Sequence, residues 1–533
     1  MNEEIKPVLS NILFFLSERK HCIVAKGLCV MKLQGSSKPI QCRKLRFKIG
    51  DAGPFADLHF KMSKGIPLPK GFRLNFYTMK LATKVLDELD IQNRIIPVYD
   101  EKGELFEGKL AYSIFESGRT SFRNSRVINC NNKSVYLRQA MKNGMWLTVR
   151  EPNRYDTTEG KNAVRRAVKA AKSGRYRDAI MLYEKECSRY EESASVLYEK
   201  LIDMGYDNVF YVINQDNPVI DKLEAKYRRN LLYKDSDDHL ECFFGCRCFV
   251  GTETREHMVQ LRAANKAIMA RANDKNVPYV FLQHGVMYMI SLDADMRVSF
   301  RENNVNKYRV VVSSELEAKH FIELGGFKRE EIYVTGLAKF DRNTRFDDAD
   351  RIVIMPTWRR WESNAAERDF ESTAYYAMML RMFKAVPKKY RTKIDVLPHP
   401  LMRNAMIKAD CRLSSFIPRE TSYDEILKSC ALLITDYSSI AYDAFYRGAN
   451  VIFCWEEKDE CMTHYGGAHL MIDKNNTFGD ITTTPEGLTE AILKNYMRNQ
   501  NSEYIENYRK IVSFHDGKNS ERIIEMMKKD GII

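Results

Sequence analysis

Leu432-Leu433-Ile434-Thr435-Asp436-Tyr437-Ser438-Ser439, running on into Ile440 to Arg447, is the stretch that decides the fold. Its first four residues form an apolar run of strand length, and the polar turn after them opens directly into a helical pattern. Strand, loop and helix in that order make the repeating unit of a parallel sheet. Free backbone N–H groups at a helix start can take an anion, and Ser438 and Ser439 would add two hydroxyl donors. Ordinary capping by Ser438 or Asp436 is compatible with that role.

Outward from this unit the same alternation recurs. Arg351 to Met355, Ile394 to Leu397 and Val451 to Trp455 are strand-like runs around it. An earlier set comprises Asn208 to Ile213, Cys248 to Gly251, Tyr279 to Leu282, Arg309 to Val312 and Glu331 to Val334, with helical stretches such as His257 to Ala272 and Glu315 to Leu324 between them. The polar segment Lys339 to Asp350 reads as a linker. The spacing therefore predicts two doubly wound α/β halves. In such sheets ligands lie beyond the carboxyl ends of the strands.

Three further motifs fall at those ends. Gln283-His284-Gly285 follows Tyr279 to Leu282, and an imidazole there can act as a general base; a packed structural histidine is the plain alternative. Pro356-Thr357-Trp358-Arg359-Arg360 follows Arg351 to Met355, and a guanidinium there can fork onto a phosphate. Pro398-His399-Pro400 holds one histidine between two backbone-fixing prolines. Cys454, Cys461, His464 and His469 match no compact zinc spacing, so no metal is expected. Neither a GxxxxGK[ST] loop nor a GxGxxG turn stands where a strand would need it, which argues against P-loop and dinucleotide chemistry.

Ahead of these halves the texture differs. Residues 1–150 read as a small β-rich module, plausibly a sandwich: Leu45, Phe47 and Ile49 alternate with Lys44, Arg46 and Lys48, and Phe72, Leu74 and Phe76 alternate with Arg73 and Asn75. Residues 151–205 read as a helical bridge, with Val164, Val168 and Ala171 on one stripe and Lys161, Arg165, Lys169 and Lys172 opposite. That basic face suits an anionic membrane surface, or is simply solvated.

Composition limits the classes. Across 533 residues, 44% hydrophobic and 29% charged describe a globular chain of several domains. No apolar run approaches the roughly 20 residues that span a bilayer. The acidic start, Met1-Asn2-Glu3-Glu4, is unlike a secretory signal. Twelve cysteines in so long a chain suggest reduced thiols and a cytoplasmic location, and the basic stretch Lys161 to Arg177 with the bulk charge suggests a peripheral place on the inner face of the plasma membrane. The net charge of +13 favours anionic partners.

In order, these motifs resemble the CDP-glycerol glycerophosphotransferase family, the teichoic-acid-type polyol-phosphate transferases. The likeness runs from about Tyr206 onward and includes His284-Gly285, Val334-Thr335-Gly336 before Phe340-Asp341, Pro356-Thr357-Trp358-Arg359, Pro398-His399-Pro400 and Ile434 to Ser439. It implies a GT-B architecture, with Rossmann-like domains at 206–340 (acceptor side) and 341–533 (donor side). It also implies transfer of glycerol phosphate or a related polyol phosphate from CDP-glycerol or CDP-ribitol to a lipid-linked or glycan acceptor, with release of CMP. No cofactor beyond that donor and no nucleic acid is implied. Carried over by position, His284 is the base, and His399 joins it as a catalytic residue. His399, Ser438 and Ser439 hold the pyrophosphate, Arg359 assists and Asp436 orders the loop. Gly285, Pro398 and Pro400 shape the backbone. The family's HGT continuation is replaced here by Val286, Met287 and Tyr288, and Val396-Leu397 stand where a basic residue often precedes the proline-histidine pair. Competing readings are a GT-B glycosyltransferase using a nucleotide sugar and a non-catalytic polymer-binding protein on the same fold.

Overall fold

A computed structural model describes residues 6–50, 53–111, 127–139, 144–261, 263–292, 308–362, 365–366, 369–418 and 422–533. The chain forms two compact units, residues 1–173 with 260–274, and residues 174–259 with 275–533.

The first unit is built on strands β1 (Lys6–Arg19), β2 (Cys22–Gln34), β3 (Leu45–Ile49), β4 (Phe55–Phe60), β5 (Ile66–Pro67), β6 (Arg73–Ala82), β7 (Gln92–Glu101), β8 (Glu104–Glu107), β9 (Lys109–Ala111), β10 (Ile128–Cys130), β11 (Lys133–Gln139) and β12 (Met145–Arg150). They form one sheet, ordered β10-β11-β12-β7-β3-β4-β6-β2-β1-β9, with β5 on β6 and β8 on β7. Leu9 of β1 and Val135 of β11, from opposite ends of that order, share one core with Met31, Phe47, Tyr77 and Leu147. The sheet therefore curls around its own interior instead of splitting into two stacked sheets.

The alternation in β6 runs opposite to the expected sense. Asn75 is 0% exposed and Phe76 49%. Tyr77, Met79 and Leu81 continue the strand on the inner face, and the period of two commits Asn75 to their side. The buried amide is satisfied: its Nδ2 donates to the Met62 carbonyl at 2.5 Å and its Oδ1 accepts from the Met62 N–H at 3.2 Å. The helix Thr158–Ala170 follows. Thr157 Oγ1 accepts from the Gly160 N–H at 3.0 Å to cap it. Val164 of the expected stripe is buried with Ala163 and Ala167, Val168 and Ala171 are half-buried, and Lys161, Arg165, Lys169 and Lys172 are exposed.

The second unit holds two parallel sheets. The first orders β15 (Leu231–Tyr233), β14 (Val209–Ile213), β13 (Ile180–Tyr183), β16 (Cys248–Gly251), β17 (Tyr279–Phe281), β18 (Tyr308–Val312) and β19 (Ile332–Val334). The second orders β21 (Ile394–Val396), β20 (Arg351–Ile354), β22 (Cys430–Thr435), β23 (Asn450–Cys454) and β24 (Asp480–Thr482). Both pair in parallel throughout, so the doubly wound α/β reading is what the chain adopts. One strand, β13, lies inside the stretch read as helical. Its four residues are buried on both faces, and so short an apolar run carries no period to distinguish strand from helix.

Val334-Thr335-Gly336 and Asp341 act together on the last helix, Asn519–Lys529. Asp341 caps it, accepting from the N–H groups of Asn519 at 2.8 Å and Ser520 at 2.7 Å. Gly336 has φ +79°, and a Cβ there would stand 2.3 Å from Asn519 Oδ1. Gly336→Ala is therefore expected to cost about 1–3 kcal/mol in chemical denaturation, from strain and displacement of this helix.

Candidate active site

The first half supplies a rigid strand-end loop. Gln283, after β17, is 0% exposed and has φ +58°, a strained setting for a side-chain-bearing residue. Its Nε2 donates to the Val311 carbonyl at 2.5 Å. Glu317, buried behind the loop, accepts from the backbone N–H groups of Met287 at 2.7 Å and Ser313 at 2.5 Å. Burial raises the Glu317 carboxyl pKa, and those N–H groups oppose the rise. Held from behind in this way, His284 is exposed while Gln283 and Gly285 are buried.

Lys339 ties this loop across to the second half. Its Nζ donates to the His284 carbonyl at 3.1 Å and pairs with Asp443 Oδ1 at 2.6 Å. Gly285 lies against the same region: a Cβ on it would stand 3.0 Å from Ser439 Oγ. A larger residue would push the two strand-end loops apart. The sequence therefore brings His284-Gly285 and Ser438-Ser439 to one place, although about 150 positions separate them.

In the second half Asp436 is the hub. Its Oδ1 accepts from the Thr357 N–H at 2.7 Å, the Thr357 hydroxyl at 2.6 Å and the Tyr437 N–H at 2.6 Å. Its Oδ2 accepts from Arg359 Nη1 at 3.0 Å. The loops after β20 and β22 are thus pinned together through the Asp436 carboxylate. Arg359, expected to reach a phosphate, is instead 1% exposed and held between Asp436 and Glu457 Oε2, the latter at 3.4 Å. Its charge neutralises the buried Asp436 and the half-buried Glu457, so it supports the site from behind. Ser438 Oγ accepts weakly from the Ile440 N–H at 3.4 Å. Ser439 is half-buried, and its Oγ makes no protein hydrogen bond among the described residues.

Between Pro398 and Pro400, the latter opening the helix Pro400–Ala409, His399 lies flat on Trp358, with ring centroids 5.1 Å apart and planes 12° apart. Its backbone N–H donates to the Tyr375 hydroxyl at 3.2 Å. Burial, aided by the Lys185 ammonium, lowers the imidazole pKa from 6.5 to about 4. His399 is therefore neutral at physiological pH and donates through one ring N–H only. Its NMR titration is expected to have a midpoint near 4. The unfolded chain then binds more protons than the native one between about 4 and 6.5, so this group's contribution to stability falls as pH drops through that window. A midpoint near 6.5 would show a solvated ring.

Lys185 follows β13 and was not anticipated. It, Glu186 and Cys187 all have positive φ, at 44°, 54° and 65°. Lys185 Nζ pairs with Glu192 Oε1 at 3.1 Å. Beneath it Glu184, 0% exposed, accepts from the N–H groups of Glu191, Glu192 and Ser195, while burial and the Glu192 charge push its pKa up to about 7. Sequence reading also missed Glu317 and Lys339. Ser314 to Glu317 has the S-x-x-E spacing of a capping box, which could have marked the first. Nothing marks the second, because a lysine in a polar run reads as linker.

The sequence profile described as CDP-glycerol:poly(glycerophosphate) glycerophosphotransferase matches residues 167–529. The chain is 26% identical over 272 residues to the minor teichoic acid biosynthesis protein GgaB of Bacillus subtilis (strain 168), covering 46% of this chain and 29% of that protein. It thus spans under a third of the length of that curated relative. Among solved structures it is similar to the wall teichoic acid polymerase TagF at 18% identity, covering 70% of this chain and 95% of that one with a TM-score of 0.49. It is similar to a putative UDP-N-acetylglucosamine 2-epimerase from Listeria monocytogenes at 13% identity, covering 66% and 96% with a TM-score of 0.41.

Proposed function

The chain belongs to the CDP-glycerol:poly(glycerophosphate) glycerophosphotransferase family, and from that premise we propose that it moves glycerol phosphate, or a related polyol phosphate, from a CDP-activated donor to an acceptor hydroxyl in the synthesis of a teichoic-acid-like polymer. The observation that carries this reading is the approach of the His284-Gly285 loop to Ser439, both beyond the carboxyl ends of parallel strands.

In this reading His284 takes the proton of the acceptor hydroxyl as its oxygen attacks the phosphorus bearing the polyol. The pyrophosphate P–O bond breaks, and CMP departs with the electron pair. Ser438 and Ser439 donate to the phosphate oxygens. Neutral His399, oriented by Trp358 and its flanking prolines, gives one further N–H. Positioning and charge stabilisation are the chief demands of phosphoryl transfer, and these groups are held in advance. Arg359 and Asp436 keep the second-half loops in register, and Gly285 permits the close approach.

Among the described residues no helix is long and apolar enough to cross a membrane. Peripheral contact with an anionic cytoplasmic membrane face would use Lys161, Arg165, Lys169 and Lys172, all exposed. The deciding experiment offers CDP-glycerol, CDP-ribitol and several UDP-sugars, each with an oligomeric acceptor, and identifies the nucleotide released. CMP from a CDP-polyol is expected. UDP from a sugar donor, with no CMP, would transfer the chain to glycosyl chemistry.

A further inference from the structure

Residues 6–111 lie outside the family match at 167–529 and turn a distinctive surface outward. Cross-strand register fixes which side chains share it. One row across β1, β2, β6 and β4 reads Phe15, Lys26, Thr78, His59. The next reads Ser17, Val24, Lys80, Asp57, of which Val24 is itself covered by its neighbours. On the other side Leu28 faces Phe76, and the Lys61 N–H donates to the Phe76 carbonyl at 2.8 Å. β3 extends the face, with Lys48 opposite Phe55. The alternate positions, among them Ala25, Phe47, Ala56, Tyr77 and Met79, fill the core, so these rows face out.

This face is both aromatic and basic. Phe15, Phe76 and Phe55 are 70%, 49% and 44% exposed. Lys26, Arg46, Lys61 and Lys80 are exposed and form no ion pair among the described residues, and Lys48 reaches Glu107 at 2.7 Å. Asp57 is the lone acid in the rows named. Lys61 Nζ lies 5.7 Å from the Phe76 ring centroid, and the Arg46 guanidinium lies 5.9 Å from that of Phe55. An exposed patch of large apolar rings calls for a partner, and its cations call for an anionic one.

We propose that this sheet face binds a phosphodiester-linked polyol chain, the growing acceptor polymer. Strands about 4.8 Å apart and alternate residues about 6.8 Å apart set ammonium groups and rings in an interleaved grid. A polymer that alternates phosphates with polyol C–H groups is complementary to it: the cations pair with phosphates and the rings take the C–H faces. A membrane is the poorer fit, because cations cover two of the rings, which are not free to insert as wedges. Holding the polymer would raise the effective concentration of its end at the transfer site. The polymer's identity rests on the proposed function; the binding does not.

The test measures binding of a synthetic poly(glycerol phosphate) oligomer to the full chain without donor. The triple variant Lys26→Gln, Lys61→Gln, Lys80→Gln is expected to bind about tenfold or more weakly at low salt. Phe15→Ala with Phe76→Ala is expected to weaken binding in a way that persists at high salt, since stacking is not screened. Melting temperatures, and CMP release with a single-unit acceptor, should match the unaltered chain. Unchanged oligomer affinity in both variants overturns the proposal. So does an equal loss for single-stranded DNA or for anionic phosphatidylglycerol vesicles, which would assign the face to polyanions in general or to a membrane. Loss of oligomer binding in a chain that releases CMP from no donor would keep this proposal and sink the transferase reading.

Discussion

His284→Ala is expected to lower CMP release by roughly 10²–10⁴-fold, the usual worth of a positioned general base. The side chain is exposed, whereas the loop's fixed points are Gln283, the Glu317 hydrogen bonds and the Lys339 contact with the His284 carbonyl. None of these fixed points uses the imidazole, so they stay in place in the variant, and its melting temperature is to be measured beside its turnover. Thermal stabilisation by CDP-glycerol should also survive, because the groups assigned to the donor sit on the second half. The expected signature is therefore a fall in kcat with donor binding retained. Near-full turnover would remove His284 from the role of base and leave the loop's strain without a catalytic purpose.

Arg359→Met is expected to have the largest effect on stability. The guanidinium stands between Asp436 and Glu457 with almost no solvent, and methionine fills similar volume without charge. Removing one partner of a buried pair leaves the other charged and dry, a cost of about 3–5 kcal/mol. Denaturant unfolding should register that loss. Adding Asp436→Asn should recover part of it, since the buried charge is then gone and Glu457 keeps its pair with Arg381 at 2.5 Å, although Thr357 and Tyr437 lose a charged acceptor. A loss under about 1 kcal/mol would show that water reaches the pair.

The architecture of the second unit was legible because its strands are short apolar runs that stop abruptly at polar or Gly- and Pro-containing segments. β16, β17, β20, β22 and β23 were each found to within one or two residues. β13 was not, because Ile180 to Tyr183 is buried on both faces and four apolar residues fit either period. β6 was found but read inside out: Phe72, Leu74 and Phe76 look like a core stripe until Tyr77, Met79 and Leu81 are counted against them. The positions of His284 and Ser439 could be anticipated, since both lie where parallel strands end. The fate of Arg359 could not, because nothing local to it announces that Glu457, nearly a hundred residues on, will help enclose it.

The chain leaves the first unit at residue 173, returns to it for 260–274, and leaves again. Shortening the protein to begin at residue 174 would thus strand an internal segment whose folding partners had been cut away. Such a fragment should be aggregation-prone even though the family match begins almost where it starts. The β-rich module is sewn into the rest of the chain rather than appended to it, and loss of the module should be felt as loss of solubility before it is felt as loss of any binding.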